Sequence, residues 1–286
     1  MDETTIEDGI VSLIRKAETE LPQDVIRPLK KAYEIEKGIA KTQIDTILKN
    51  IELARISKRP MCQDTGIQTF FIQVGINFPK IKNIDSWIIK GVKKATKEVP
   101  LRPNTVDPIS GKNHGDNIGE NIPYITWEFI DSDKILITAL PKGGGSENMS
   151  KLAMLKPGVG IEGVKNFVVD EMIKAGGNPC PPTVVGVGIG GGADLSLKLG
   201  KRALLRPIGI RHPDKMIASI ELELIERIND SGIGPMGLGG KTTVLDVHIE
   251  KAHRHPASLP VGIVVQCWAA RRAYLTIRSD GTWEVN

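Results

Sequence analysis

The chain has 286 residues, 40% of them hydrophobic and 25% charged, and carries a formal net charge of +4. That balance is the one expected of a globular protein with apolar material for a sizeable core. The small charge, with no basic block interleaved with aromatics, argues against nucleic-acid binding. The first residues, Met1-Asp2-Glu3, are acidic where a secretory leader is basic. No window approaches the ~18 continuous apolar residues of a membrane span. A soluble, cytoplasmic protein without membrane contact is expected.

In chain order, Ile6, Ile10, Leu13, Ile14 and Ala17 have helical spacing over residues 5–20. A second helix is predicted after Pro22, through Val25, Ile26, Leu29, Ala32 and Tyr33. A third is predicted from about Ile39 to Ile56. Short loops make these three an all-helical bundle of antiparallel neighbours. The segment Arg59-Pro60-Met61-Cys62-Gln63-Asp64-Thr65-Gly66 then leads into a predicted strand, Thr69–Val74. An amphipathic helix over Ile84–Glu98 is stopped by Pro100. The polar, proline-punctuated stretch from Leu101 to Pro123, with Arg102, Asn104, His114 and Asp116, is long for a structureless loop and reads as functional.

Two strands, Tyr124–Ile130 and Lys134–Leu140, are joined by Asp131-Ser132-Asp133. Gly143-Gly144-Gly145 follows, ahead of a predicted helix, and such a glycine run lets backbone N–H groups approach an anion. Further elements are a helix over Gly158–Ala175, a strand over Thr183–Ile189, and helices over 191–199 and Pro213–Asn229. Gly186, Gly188 and Gly191 satisfy G-x-G-x-x-G formally. Two of those glycines fall inside the strand, so a dinucleotide site is disfavoured. Ser231–Gly240 reads as a very flexible glycine loop. Strands Thr242–Ile249, Val261–Val265, Tyr274–Arg278 and Thr282–Val285 close the chain. The fold class is mixed α/β (α+β): an N-terminal helical bundle, then mixed sheets with flanking helices. It is read as one domain, 1–286, helical over about 1–56 and α/β over about 57–286.

The three cysteines, Cys62, Cys180 and Cys267, are odd in number and far apart, which disfavours a disulfide framework. Each lies at or near the end of a strand-like run, in or beside a loop of Pro, Gly and polar residues. Cys180, in Asn178-Pro179-Cys180-Pro181-Pro182, does not sit among the apolar neighbours of a structural thiol. Three readings stay open on the residues alone: incidental thiols, a zinc site completed by a histidine, and a [4Fe–4S] cluster with three cysteine ligands. Zinc sites usually show local Cys-x-x-Cys pairs, absent here. A three-cysteine cluster leaves one iron able to act as a Lewis acid.

Four segments resemble those of the class I, iron–sulfur-dependent fumarate hydratases and the related L-tartrate dehydratases. They are Met61–Gly66, Gly143–Ser150, Gly177–Pro182, and His255-Pro256-Ala257-Ser258-Leu259-Pro260 through Gln266-Cys267. The resemblance runs from about residue 40 to the C-terminus and fits the separate alpha subunit of the two-subunit form. It implies that Cys62, Cys180 and Cys267 ligate a [4Fe–4S] cluster with one open iron. It also implies that Gln63, Asp64, Arg102, Gly144 and Gly145 surround the substrate, and that Asp64 and His255 share proton delivery. A beta subunit would complete the site, in a higher oligomer of alpha–beta pairs. The expected reaction is (S)-malate to fumarate and water, with L-tartrate to oxaloacetate as the alternative and a non-catalytic zinc or redox-sensing module as the remote one. Arg102 suits a dicarboxylate because its guanidinium offers a two-pronged fork. Arg271 and Arg272 are further candidates, better read as a structural or solvated pair.

Overall fold

The computed structural model of the protein describes residues 3–79 and 83–286. Met1 and Asp2, part of the segment read for a leader, lie outside the described residues. The helices are α1 (Glu3–Thr19), α2 (Gln23–Ile35), α3 (Gly38–Ser57), α4 (Ile84–Glu98), α5 (Gly144–Glu147), α6 (Gly160–Ala175), α7 (Ala193–Ala203) and α8 (Lys215–Asn229). The strands are β1 (Thr69–Gly75), β2 (Tyr124–Ile130), β3 (Ile135–Ala139), β4 (Lys151–Leu155), β5 (Thr183–Gly191), β6 (Val244–Arg254), β7 (Leu259–Gln266), β8 (Ala273–Ile277) and β9 (Trp283–Val285). They form two mixed sheets with flanking helices, as the fold class anticipated. No helix among the described residues is long and apolar enough to cross a membrane.

The chain divides into two compact units. The first comprises residues 1–22, 50–144 and 271–286. Its sheet has the order β2-β1-β3-β8-β9, with β1 parallel to β2 and antiparallel to β3. Thus β2 and β3 flank β1 and are not a hairpin. Their four-residue link passes the end of β1, where Asn77 N–H donates to Ser132 O (3.1 Å). Helices α1 and α4 pack on each other and cover the sheet. Their apolar stripes (Ile10, Ile14; Ile88, Val92) meet Phe70, Ile72, Ile137 and Leu275 in one buried cluster. Burying that many branched side chains is the main stabilising term of the unit.

The second unit comprises residues 23–49 and 145–270, with the sheet order β4-β7-β5-β6. Residues alternate across β5, so Val185 and Val187 face α6 and α8 (Val168, Met172, Leu224, Ile228) while Gly186 and Gly188 face α7. A Cβ on Gly188 would stand 1.9 Å from Ser196 O, and one on Gly186 2.0 Å from Gly200 O. The G-x-G-x-x-G pattern is therefore a seat for the α7 backbone, and only glycine fits there.

Of the three N-terminal helices, α1 belongs to the first unit, and α2 with the first part of α3 belongs to the second. One expectation is corrected. The glycine loop 231–240 is tied down, not loose. Gly239 N–H donates to Ile233 O (2.8 Å) and Met236 N–H to Pro181 O (2.8 Å). The residues that follow, Lys241 and Thr242, give their N–H groups to the buried carboxylate of Glu36 (2.7 to 3.1 Å).

Candidate active site

In the first unit, the chain between α3 and β1 turns sharply at Gly66 (φ +70°), where a Cβ would lie 2.5 Å from the Lys142 carbonyl carbon. This close approach brings the Asp64 loop against the glycine run. Asp64 Oδ1 accepts from Gly66 N–H (2.9 Å) and Oδ2 from Gly144 N–H (2.7 Å). The N–H of Gly144, one of those expected to cradle an anion, thus meets the carboxylate of Asp64. Asn104 adds a long contact to Oδ1 (3.4 Å) and holds Gly66 O (3.2 Å).

Arg102 and Gln63, both exposed, contact each other through Nη1 and Oε1. Arg102 N–H also donates to Thr65 Oγ1 (3.1 Å). The loop carrying Arg102 is organised by Asn117. That buried side chain donates to Arg102 O (3.0 Å) and accepts from Asn104 N–H (2.7 Å). The four polar positions expected in this unit, Gln63, Asp64, Arg102 and Gly144, are therefore joined by direct hydrogen bonds or by a short chain of them.

Beneath this loop lies a buried ion pair that sequence reasoning missed. Arg271 bonds Glu18 through Nη1 and gives Nη2 to the carbonyl of Asp64 (3.0 Å). Burial pushes the Glu18 carboxyl above its ordinary range, against the pull of Arg271 and Gln68. Glu18 also offers its carbonyl to Met61 N–H (2.9 Å). The available signal was a carboxylate directly after the buried stripe Ile14–Ala17 of α1. Arg271 is thus a positioning residue, in line with the structural reading of Arg271 and Arg272; Arg272 Nε donates to Tyr274 Oη (2.9 Å).

In the second unit, Cys180 and Cys267 are brought to one end of the sheet. Strands β5 and β7 are antiparallel with Val184 opposite Gln266, and Trp268 N–H donates to Cys180 O (3.1 Å). Cys180 has φ +53°, a left-handed conformation costing a non-glycine residue about 1–2 kcal/mol. It is held there by its own N–H to Gly177 O (3.0 Å), by the glycine loop through Pro181, and by flanking prolines. Strain that surrounding contacts enforce is characteristic of functional positions. Gly145 lies in the same unit beside Asn178 of this loop.

All three cysteines are reduced and half-buried; Cys62 is carried by the first unit. Among the described residues no three of His, Cys, Asp and Glu are grouped to hold a single metal ion. The residues that would hold a [4Fe–4S] cluster are the three cysteines. Soft thiolates are also the donors that iron–sulfur clusters use, so the donor set fits.

His255 lies elsewhere. It occupies the exposed turn between β6 and β7, whereas Cys267 follows the far end of β7. Ala257 N–H donates to His255 Nδ1 (3.1 Å), so the neutral ring carries its proton on Nε2.

A family profile described as "Fumarate hydratase (Fumerase)" matches residues 7–276. The chain is 54% identical over 280 residues to a Methanocaldococcus jannaschii protein named "Putative L(+)-tartrate dehydratase subunit alpha", covering 96% of this chain and 98% of that one. It is 40% identical over 268 residues to the "L(+)-tartrate dehydratase subunit alpha" of Escherichia coli K12, covering 93% of this chain and 88% of that one. A match of this extent takes in both units and every segment described above, and so the chain belongs to the class I fumarate hydratase family, in which its counterparts are alpha subunits.

Proposed function

We propose that this chain is the alpha subunit of an iron–sulfur hydro-lyase that converts L(+)-tartrate to oxaloacetate and water together with a separate beta subunit. The observation that carries the substrate is the near end-to-end similarity to two alpha subunits named for L(+)-tartrate. In this reading Cys62, Cys180 and Cys267 hold a [4Fe–4S] cluster. When bound, such a cluster supplies a Lewis-acidic iron that makes a substrate hydroxyl a better leaving group.

The remaining chemistry falls to the protein. Arg102 takes a substrate carboxylate, exchanging its contact with Gln63 for a charge-assisted pair, and Gln63 keeps an amide for a hydroxyl. Gly145 offers backbone N–H to a second carboxylate. Asp64, fixed through both oxygens, stands ready to pass a proton to the departing hydroxyl, whereas His255, beyond the other end of β7 from Cys267, is given no part in that step. Loss of water from tartrate leaves an enol, which becomes oxaloacetate by moving one proton. The group that takes the C3 proton is assigned to the beta subunit.

A second reading, (S)-malate to fumarate, is favoured by the family description. Both subunits, purified together without oxygen, should be given the two substrates side by side. We expect the larger kcat/KM for L(+)-tartrate, and a preference for malate would replace the first reading by the second. Iron and acid-labile sulfide should be found together; zinc without sulfide would remove the cluster. The alpha chain alone should turn over neither substrate.

A further inference from the structure

Within the first unit, Asn104 stands in the Asp64 cluster and is fixed twice over. Its backbone N–H donates to Oδ1 of buried Asn117 (2.7 Å). Its side-chain Nδ2 lies 3.2 Å from Gly66 O and 3.4 Å from both Asp64 Oδ1 and Thr65 Oγ1. A backbone carbonyl and an ionised carboxylate can only accept hydrogen bonds. The amide is therefore turned with its NH2 toward them and its oxygen away. Among the described residues no N–H or O–H donates to that oxygen. The residue is half-buried, so Oδ1 is an unused acceptor in a fixed place.

The place of that acceptor matters, because it adjoins the group assigned to protonate the leaving hydroxyl. Nitrogen and oxygen of a carboxamide share one carbon, so Asn104 Oδ1 stands a single functional group away from Asp64. Other polar atoms nearby are committed. Both Asp64 oxygens receive backbone N–H groups, Thr65 Oγ1 receives Arg102 N–H, and a guanidinium has no acceptor. Gln63 Oε1 can accept, but it is exposed and contacts Arg102. L(+)-Tartrate differs from (S)-malate by a second hydroxyl, on the carbon next to the one that loses its own. That hydroxyl stays on the product skeleton as an O–H donor, and it requires an acceptor beside the acid. A fixed acceptor also discriminates, because with malate it covers a carbon that has nothing to donate.

We propose that Asn104 selects tartrate, its Oδ1 accepting a hydrogen bond from the hydroxyl that the substrate keeps. This rests on the hydro-lyase reading above and adds the residue that reads the second hydroxyl. Asn104 makes and breaks no covalent bond; the O–H it holds is the one that becomes the enol after water has left. Malate offers only carbon-bound hydrogen at that position. A site built to bind a hydroxyl rejects an analogue without it far more strongly than an apolar pocket rejects an added one.

Two alpha variants, Asn104→Leu and Asn104→Asp, test this when each is purified with the beta subunit without oxygen and given both substrates beside the wild type. Asn104→Leu keeps the size of the side chain and loses its NH2 and its acceptor. It should lower kcat/KM for L(+)-tartrate roughly 10-fold or more beyond any loss for (S)-malate, a factor equal to about 1.4 kcal/mol. Asn104→Asp keeps an oxygen and loses the NH2 that holds Gly66 O. Both substrates should then slow, with the tartrate-to-malate ratio within about threefold of the wild type. Iron and sulfide content equal to the wild type in both variants shows that no loss comes from a missing cluster. Equal losses on the two substrates in Asn104→Leu would make Asn104 a tie for the Gly66 turn and overturn the proposal. A ratio that collapses in Asn104→Asp as far as in Asn104→Leu would overturn it too. The functional reading fails separately, in the wild type: a preference for malate, or turnover of neither substrate, removes that reading and with it a tartrate for Asn104 to select.

Discussion

Both oxygens of Asp64 are held by backbone N–H groups, and its carbonyl is tied to Arg271, which is paired in turn with buried Glu18. Cys180 is aimed by other means, a left-handed backbone between prolines braced by a neighbouring glycine loop. The polar site of the first unit is thus fixed by directional bonds anchored on buried charge. The thiol end of the second is fixed by backbone shape. The difference suits the groups being held. A carboxylate has several acceptor sites through which it can be oriented, whereas a thiol forms only weak hydrogen bonds and must be placed by its backbone.

The comparison can be broken at its two anchors. Cys180→Ala should lose the cluster absorbance and reduce turnover by at least 1,000-fold while leaving the first unit folded, as read by near-ultraviolet circular dichroism. Arg271→Met should act on the other side. It strands Glu18 in an apolar site and removes the support of the Asp64 loop, at about 3–5 kcal/mol in urea unfolding. A loss below 1 kcal/mol would show that the pair is not the anchor of that loop.

A third measurement concerns pH. Burial pushes the Asp246 carboxyl up, but hydrogen bonds and charge from His248, with the Gly209 N–H and Arg211, outweigh it and hold the group below the usual carboxylate range. A lowered folded value contributes stability that is present above the unfolded value of about 3.9 and is lost as pH falls through the folded one. Asp246→Asn should cost about 2–3 kcal/mol at pH 7, and the gap to the wild type should narrow below about pH 4. The smallest effect is the most specific. With the cluster absent, Cys180→Gly should be about 1 kcal/mol more stable than Cys180→Ala, because glycine accepts φ +53° without strain. Equal stabilities would mean that Cys180 is not strained.

Much of this was legible in the chain. Periodicity located α4 at Ile84–Glu98 and β2 at Tyr124–Ile130, because each has a strong local pattern and clear punctuation. Strand β4 was missed, since Lys151-Leu152-Ala153-Met154-Leu155 is made of helix formers and becomes a strand only by pairing with β7. The loop 231–240 was misread because glycine content reports conformational freedom and not the tether to Glu36, some two hundred residues away. Asp64 and the cysteines were singled out as candidates from residue type and motif. Glu18, Asn117 and the Arg271 support were not, because a buried polar partner leaves no local signature. The place of His255 was hidden by sequence itself: 12 positions from Cys267 looks close until a strand stretches them out.

The grip on Asp64 also bears on how its chemistry can be probed. Replacing a carboxylate by its amide is the usual way to remove charge and keep shape. Here both oxygens receive an N–H, from Gly66 and from Gly144, and an amide has only one oxygen to offer. Whichever way an asparagine is turned, its NH2 points at a backbone donor and pushes one of the two loops away. Asp64→Asn would therefore disturb the arrangement of the loops as well as the proton, and a lost rate in that variant would not by itself identify an acid.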